Sequence, residues 1–399
     1  MKKSILLLSV LAVILNFSCA SDENSIPIES RLTYIEYDLN AVDNPIVTGY
    51  LRIIKNEDES ITAQVVLSGL DINNGNHPAH IHYNTAVEDG AIAISLSAVD
   101  SDTGTSVTTF TTLDDGTPIN YEELILFDGH LNVHLSTSNL DSLLAQGDIG
   151  QNDLTGTTKT FALNDIDMSG VTGTAKFSER ENGEALAVIE LTNTVNGTMH
   201  PAHIHNNSAL EGGDVAFTFN AIDGNSGISK TNVSQLDDGT EFLFDNVLEF
   251  DGHINVHLDP NNLQTIVSQG DIGVNELTGE SVSFQLNEVD VAGIEGTATF
   301  YKRQNGTTLA VIELINAVAG ASYPAHIHEN DIATTGPIIF TFNNVNGDTG
   351  ISETNVELLD DGTPIGFEEL EVVNGYINVH LSDSQLNVLV AQGNIGSNI

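Results

Sequence analysis

Apolar and polar residues alternate with a period of two along most of this chain. "EALAVIELTN" (184–193) and "TTLAVIELIN" (307–316) read as strands, and each follows an Asn-Gly turn ("RENGE", "RQNGT") that favours a hairpin. "DVAFTFNAI" (214–222), "PIIFTFNNV" (337–345) and "GHINVHL" (252–258) repeat the pattern. Only "SNLDSLLAQG" (138–147) and its two equivalents read as helical, starting at Ser or Asp caps and stopping at Gly147, Gly270 and Gly393. Many short strands with turn signals and one short helix predict an antiparallel β-sandwich or barrel.

The pattern recurs. His80, His203 and His326 are spaced 123 residues apart, and so are His134, His257 and His380. Leu113, Leu236 and Leu359, which open "LDDGT" in each copy, keep the same interval. Three landmarks on one period mean three tandem copies of a single domain of ordinary size. Polar stretches "QNDLTGTTK" and "VNELTGES" mark the junctions, giving domains at 32–156, 157–279 and 280–399.

All 13 histidines fall in two kinds of segment. One is "HPAHIH" at 77–82, with "HPAHIH" at 200–205 and "YPAHIH" at 323–328; the other is the "G-H/Y-x-N-V-H" strand. In "HLNVHL" (130–135), Leu131, Val133 and Leu135 alternate with His130, Asn132 and His134, so the apolar three face a core and the histidines face away. His80 and His82 likewise share the face opposite Ile81. This leaves a solvated polar face or a metal site. Two imidazoles at i, i+2 and a third on the neighbouring strand can converge on one ion, and imidazole suits Cu, Zn and Ni. The predicted ligand sets are His80, His82 and His134; His203, His205 and His257; and His326, His328 and His380. His77 with His130, and His200 with His253, are expected to be accessory neighbours of these trios, supplying a fourth ligand or a supporting contact. In the third copy both accessory positions become tyrosine, Tyr323 and Tyr376. "DSDTG" (100–104), "DGNSG" (223–227) and "NGDTG" (346–350) have the look of calcium loops, but without a distal Glu in register they read first as hairpin turns, and calcium ranks behind Cu or Zn.

Composition adds an address. "MKK" and "SILLLSVLAVIL" form a basic and then an apolar signal segment, too short to span a membrane once mature, followed by Cys19, the only cysteine. Residues 1–19 resemble a bacterial lipoprotein signal with Cys19 as the lipidated residue, and the acidic tether 20–31 ("ASDENS" onward) is similar to the export tag of Bacteroidetes-type lipoproteins. A lipid-anchored protein of the outer membrane and cell surface is therefore expected, touching the membrane through its anchor only. The formal net charge of −45 repels nucleic acid and attracts cations and basic extracellular partners.

"PAHIH" followed some fifty residues later by "GYINVHL" resembles the CHRD (chordin-type) domain family, over nearly the whole mature chain. The endings "GDIG" (147–150, 270–273) and "GNIG" (393–396) lack the arginine of the family's "GEIRG". The resemblance implies three immunoglobulin-like barrels distantly similar to copper/zinc superoxide dismutase, and no settled activity. No His/Asp cluster for a partner zinc lies between the histidine segments, and the negative field would repel superoxide, so no enzyme is expected. Three readings stay open: a transition-metal protein, a metal-free adhesion or interaction module and, weakest, a dismutase-like redox enzyme.

Overall fold

The computed structural model describes residues 33–399 except 44, 72–74 and 167–168; Cys19, the signal segment and the tether lie outside the described residues. Within them the chain is nearly all β, with three short helices.

In the first domain β1 (Thr33–Ala41), β2 (Thr48–Lys55), β3 (Ile61–Ser68), β4 (Asn76–Tyr83), β5 (Ile92–Asp100), β6 (Thr105–Phe110), β7 (Asp128–Ser136) and β8 (Asn139–Gly150) close into a barrel. Its strand order is β1-β2-β3-β6-β5-β4-β7-β8. Inward positions are apolar and sealed: Ile81, Leu131, Val133, Leu51 and Ile53 have no exposed surface. Burying such side chains stabilises a domain by about 1.5–3 kcal/mol each.

The second domain repeats the design between Leu154 and Gly273 and the third between Leu277 and Gly396. The second and third groups of strands thus begin three residues before the expected junctions at 157 and 280. In both, proline divides the histidine strand. Met199–His200 pairs with Ile222–Asp223 at one end of the sheet, and Ala202–Asn206 pairs with Asp251–His257 and Val215–Thr218 at the other. Pro201 has no N–H to give to a ladder, so the chain changes partners there and ties the two ends of the curled sheet together. Each domain packs its own core, Phe161, Phe177, Ile204 and Ile254 in the second and Phe284, Phe300, Ile327 and Ile377 in the third.

The helix expected at 138–147 is instead strand β8, paired with β7 and β1, and the helices are Tyr121–Leu124, Phe244–Glu249 and Phe367–Val372. Gly147 is not a helix stop. A Cβ there would sit 2.1 Å from the Asp38 carbonyl of β1, and Gly270 and Gly393 meet Ala162 and Gln285 in the same way at 2.0 Å. Glycine is needed where two backbones meet at the barrel seam. The start signal of the true first helix is a capping box, with Asn120 accepting from the Glu123 N–H and Glu123 accepting from the Asn120 N–H. The hairpin turns are as expected: Gly183 and Gly306 take φ of 86° and 83° behind Asn182 and Asn305. "DSDTG" is a self-satisfied turn, in which the Asp100 carboxylate accepts from the N–H groups of Asp102 and Thr103.

Candidate metal centre

β4 and β7 run antiparallel with His80 opposite Asn132 and His82 opposite His130. A bulge between Val133 and His134 shifts the register against β8. His80, His82 and His134 thereby meet on the outer face of the sheet. Their ring centroids are 5.9 Å (80–82), 5.1 Å (80–134) and 6.2 Å (82–134) apart. The second domain gives 5.9, 5.0 and 6.3 Å for His203, His205 and His257, and the third 6.1, 5.1 and 6.4 Å for His326, His328 and His380. In each trio the candidate ligand nitrogens lie within 4.8 Å of one another. The fold assembles all three predicted histidine sets.

Of the two alternatives left open for this face, a solvated surface does not describe most of the rings. His82 is 8% exposed, His134 7% and His130 not at all, although His80, His203, His205 and His328 are half-buried. Alternation gives the side of the sheet correctly. It could not show that the segments following the strands fold back over that side.

Those segments also set the tautomers. The Gly90 carbonyl lies 2.8 Å from His82 Nδ1 and the Leu140 carbonyl 2.6 Å from His134 Nδ1. A carbonyl can only accept, so each Nδ1 carries the proton and each Nε2 presents a lone pair. The third domain repeats this with Gly336 to His328 and Leu386 to His380. Each of these two trios is left with three buried nitrogens without a hydrogen-bond partner, His80 Nδ1, His82 Nε2 and His134 Nε2 in the first domain and His326 Nδ1, His328 Nε2 and His380 Nε2 in the third; outside the trios His77 Nε2 and His130 Nε2 also lack one. Orphaned buried polar atoms are rare because each carries a desolvation penalty. In the second domain His257 Nε2 lies 3.1 Å from His203 Nδ1. Two nitrogens bound at Zn–N lengths of about 2.0–2.1 Å around a tetrahedral ion stand about 3.3 Å apart, so this contact already has the span of a shared ligand pair.

Burial favours the neutral form, the one that binds metal, in the first and last ring of each trio. Burial, then the neighbouring imidazoles, lowers the pKa of His80 and His326 below the ordinary histidine value. Burial lowers His134, His203 and His380 as well, and His257 falls to about 4. Against this, the carboxylates of Asp114, Asp237 and Asp360 push the first histidine of each trio upward. Asp114 is held by the N–H and hydroxyl of Ser95, which pairs with His80 across the ladder. Asp237 on Thr218 and Asp360 on Thr341 repeat the contact. From sequence "LDDGT" reads as a turn only. It is a turn, but its first aspartate also faces the site, and invariance across the three copies was the available signal.

The accessory positions separate. His130, His253 and Tyr376 stack on His82, His205 and His328 at 5.1, 5.2 and 5.0 Å with interplanar angles of 17°, 16° and 17°. Near-parallel rings cannot aim in-plane lone pairs at one point, so this residue supports a ligand and does not add a fourth. The same argument counts against the grouping of His82, Asp89 and His130 in the first domain. Tyrosine preserves the stack, with its hydroxyl accepting from the Gly336 N–H at 3.3 Å.

His77 is not a neighbour in that stack. It alternates with Ala79 and Ile81 on the core side of β4, and its Nδ1 donates to the Leu135 carbonyl at 2.8 Å. His200 is fully buried between the His257 carbonyl and the Thr198 hydroxyl. Tyr323 fills the same place as part of the third core, accepting from the Val318 N–H.

Among the described residues no helix is long and apolar enough to cross a membrane. No family model matches the chain, and neither a curated protein nor a solved structure does.

Proposed function

We propose that the protein is an exported, lipid-anchored surface protein whose three CHRD-like domains each hold one transition-metal ion, Cu(II) or Zn(II), for scavenging, storage or metal-dependent adhesion. The observation that carries the reading is the recurrence, in the first and third domains, of three buried imidazole nitrogens left without partners at the same places. The donor set is all imidazole, which suits Zn or Cu and not the oxygen-seeking Ca2+. Carbonyls on the far nitrogens of two rings in the first and third trios, and of His205 in the second, fix the ligand tautomer, as metal-binding histidines require. At least one half-buried ring per trio, His80 in the first, His203 and His205 in the second and His328 in the third, leaves a side open for a water or an exogenous ligand. A net charge of −45 draws cations toward the surface. Lipidation at Cys19 and display at the outer membrane rest on the sequence around that residue.

Zinc or copper titrated into the mature protein, followed by calorimetry, should bind three ions per chain. Replacing His80, His82 and His134 with Ala should remove one of them. Fewer than one ion bound at micromolar concentration would end the metal reading and leave the metal-free interaction module, whose partner would have to work with rings that are mostly buried.

A further inference from the structure

Arg180 and Arg303 are buried cations at the junctions between domains, with 0% and 1% exposure. Arg180, at the end of strand Thr172–Arg180 in the second domain, donates from Nη1 to Asp148 of the first domain at 2.7 Å. The same nitrogen reaches the Asn152 carbonyl at 2.5 Å, and Nε donates to Asn232 at 2.9 Å. The other oxygen of Asp148 accepts from the Ala86 N–H at 2.7 Å. Ala86 lies in the 84–90 loop, whose carbonyls at Asn84 and Gly90 hold His130 and His82 by their Nδ1 atoms. A continuous line thus runs from a guanidinium in one domain to a candidate ligand imidazole in the domain before it.

The second junction repeats it. Arg303 of the third domain donates to Asp271 and to the Asn275 carbonyl, and Asp271 accepts from the Ala209 N–H at 2.8 Å. Ala209 lies in the 207–213 loop, which gives its Asn207 and Gly213 carbonyls to His253 and His205.

The pattern changes in the first and third domains, at the positions that pair with neither of the other two domains. The arginine position in the first domain is Glu57, and the aspartate position in the third is Asn394. Asn394 still accepts from the corresponding amide, Ile332 N–H, at 3.0 Å, and donates its own amide to the Asn398 carbonyl at 3.2 Å. A neutral amide does the anchoring without a counter-ion. A carboxylate that is 13% or 21% exposed at its side chain, by contrast, is held in place by a cation from the next domain.

We propose that Arg180 and Arg303 are positioning residues for the histidine sites of the preceding domains. Docking of the next domain then completes sites one and two, whereas site three is self-sufficient. This rests on the reading of the trios as metal sites, but the loop coupling itself can be tested without metal.

In the metal-free full chain, Arg180→Met should speed hydrogen exchange at the Ala86 amide by about tenfold or more while Ala209 and Ile332 keep their protection. Arg303→Met should free Ala209 alone. Arg180→Gln combined with Asp148→Asn, which copies the solution at Asn394, should restore protection at Ala86; it also serves if Arg180→Met fails to fold. In a zinc titration, Arg180→Met should weaken one site of three by about tenfold, the lower end of the effect of removing an outer support. Unchanged exchange at Ala86, or equal loosening of all three loops, would overturn the proposal. A wild-type chain that binds no zinc would sink the metal reading instead, and the exchange result would still decide the coupling.

Discussion

Acidification separates the buried trio of the second domain from three ordinary histidines. Metal and protons compete for the same lone pairs. An unperturbed imidazole of pKa about 6.5 weakens apparent affinity about eightfold between pH 7.0 and 5.5, and three together about 600-fold. His257 is held at about 4 by burial and by the nearby His203 and His205, so it stays neutral across that interval. Even charging both other ligands at the full rate limits the fall to about 70-fold, and the lowered pKa of His203 reduces it further. The perturbed chain carries His80→Ala, His134→Ala, His326→Ala and His380→Ala, leaving only the second site. Zinc affinity is measured by competition calorimetry at the two pH values in 0.15 M salt, where the Debye length of about 8 Å limits the distant acids. A loss near 600-fold would refute the burial argument. Metal-free stability carries the same sign. A histidine whose folded pKa lies below its unfolded value gives full stability above about pH 6.5, and that stability drains as pH falls toward the folded pKa. For His257 the total is about 3 kcal/mol, lost between about pH 6.5 and 4.

Four further outcomes follow from the same geometry. His130→Tyr should leave stability within about 1 kcal/mol and zinc stoichiometry at three, because Tyr376 already stacks in that way; a lost ion would make His130 a ligand. Ile204→Ala, in a core position with no exposure, should cost about 2–5 kcal/mol in denaturant unfolding of the second domain, and a cost below about 1 would contradict the packing. Gly147→Ala should destabilise by about 1–3 kcal/mol, since its Cβ would meet the Asp38 carbonyl, and an unchanged stability would contradict the close approach of the two strands. Cys19→Ala should move the exported protein from the membrane to the soluble fraction, and continued membrane fractionation would exclude the lipid anchor.

The 123-residue repeat, the period-two alternation and the segregation of every histidine into two motifs fix an all-β, three-domain chain from sequence alone. They also pick out the trios, because i, i+2 spacing on a strand is a local geometric fact that survives whatever the sheet does later. The helix at 138–147 was misread for a tertiary reason. Leu143 and Ala145 pair with His134 and Val133, and the ladder overrides the helical preference of "LDSLLAQ". Tertiary structure alone decided three further things: that loops from distant positions cover the histidine face, that His77 turns inward while His130 stacks outward, and that each junction places an arginine on the aspartate anchoring its neighbour's loop. These depend on contacts made by chain far away in sequence, and spacing along one strand holds no information about what closes over its outer side.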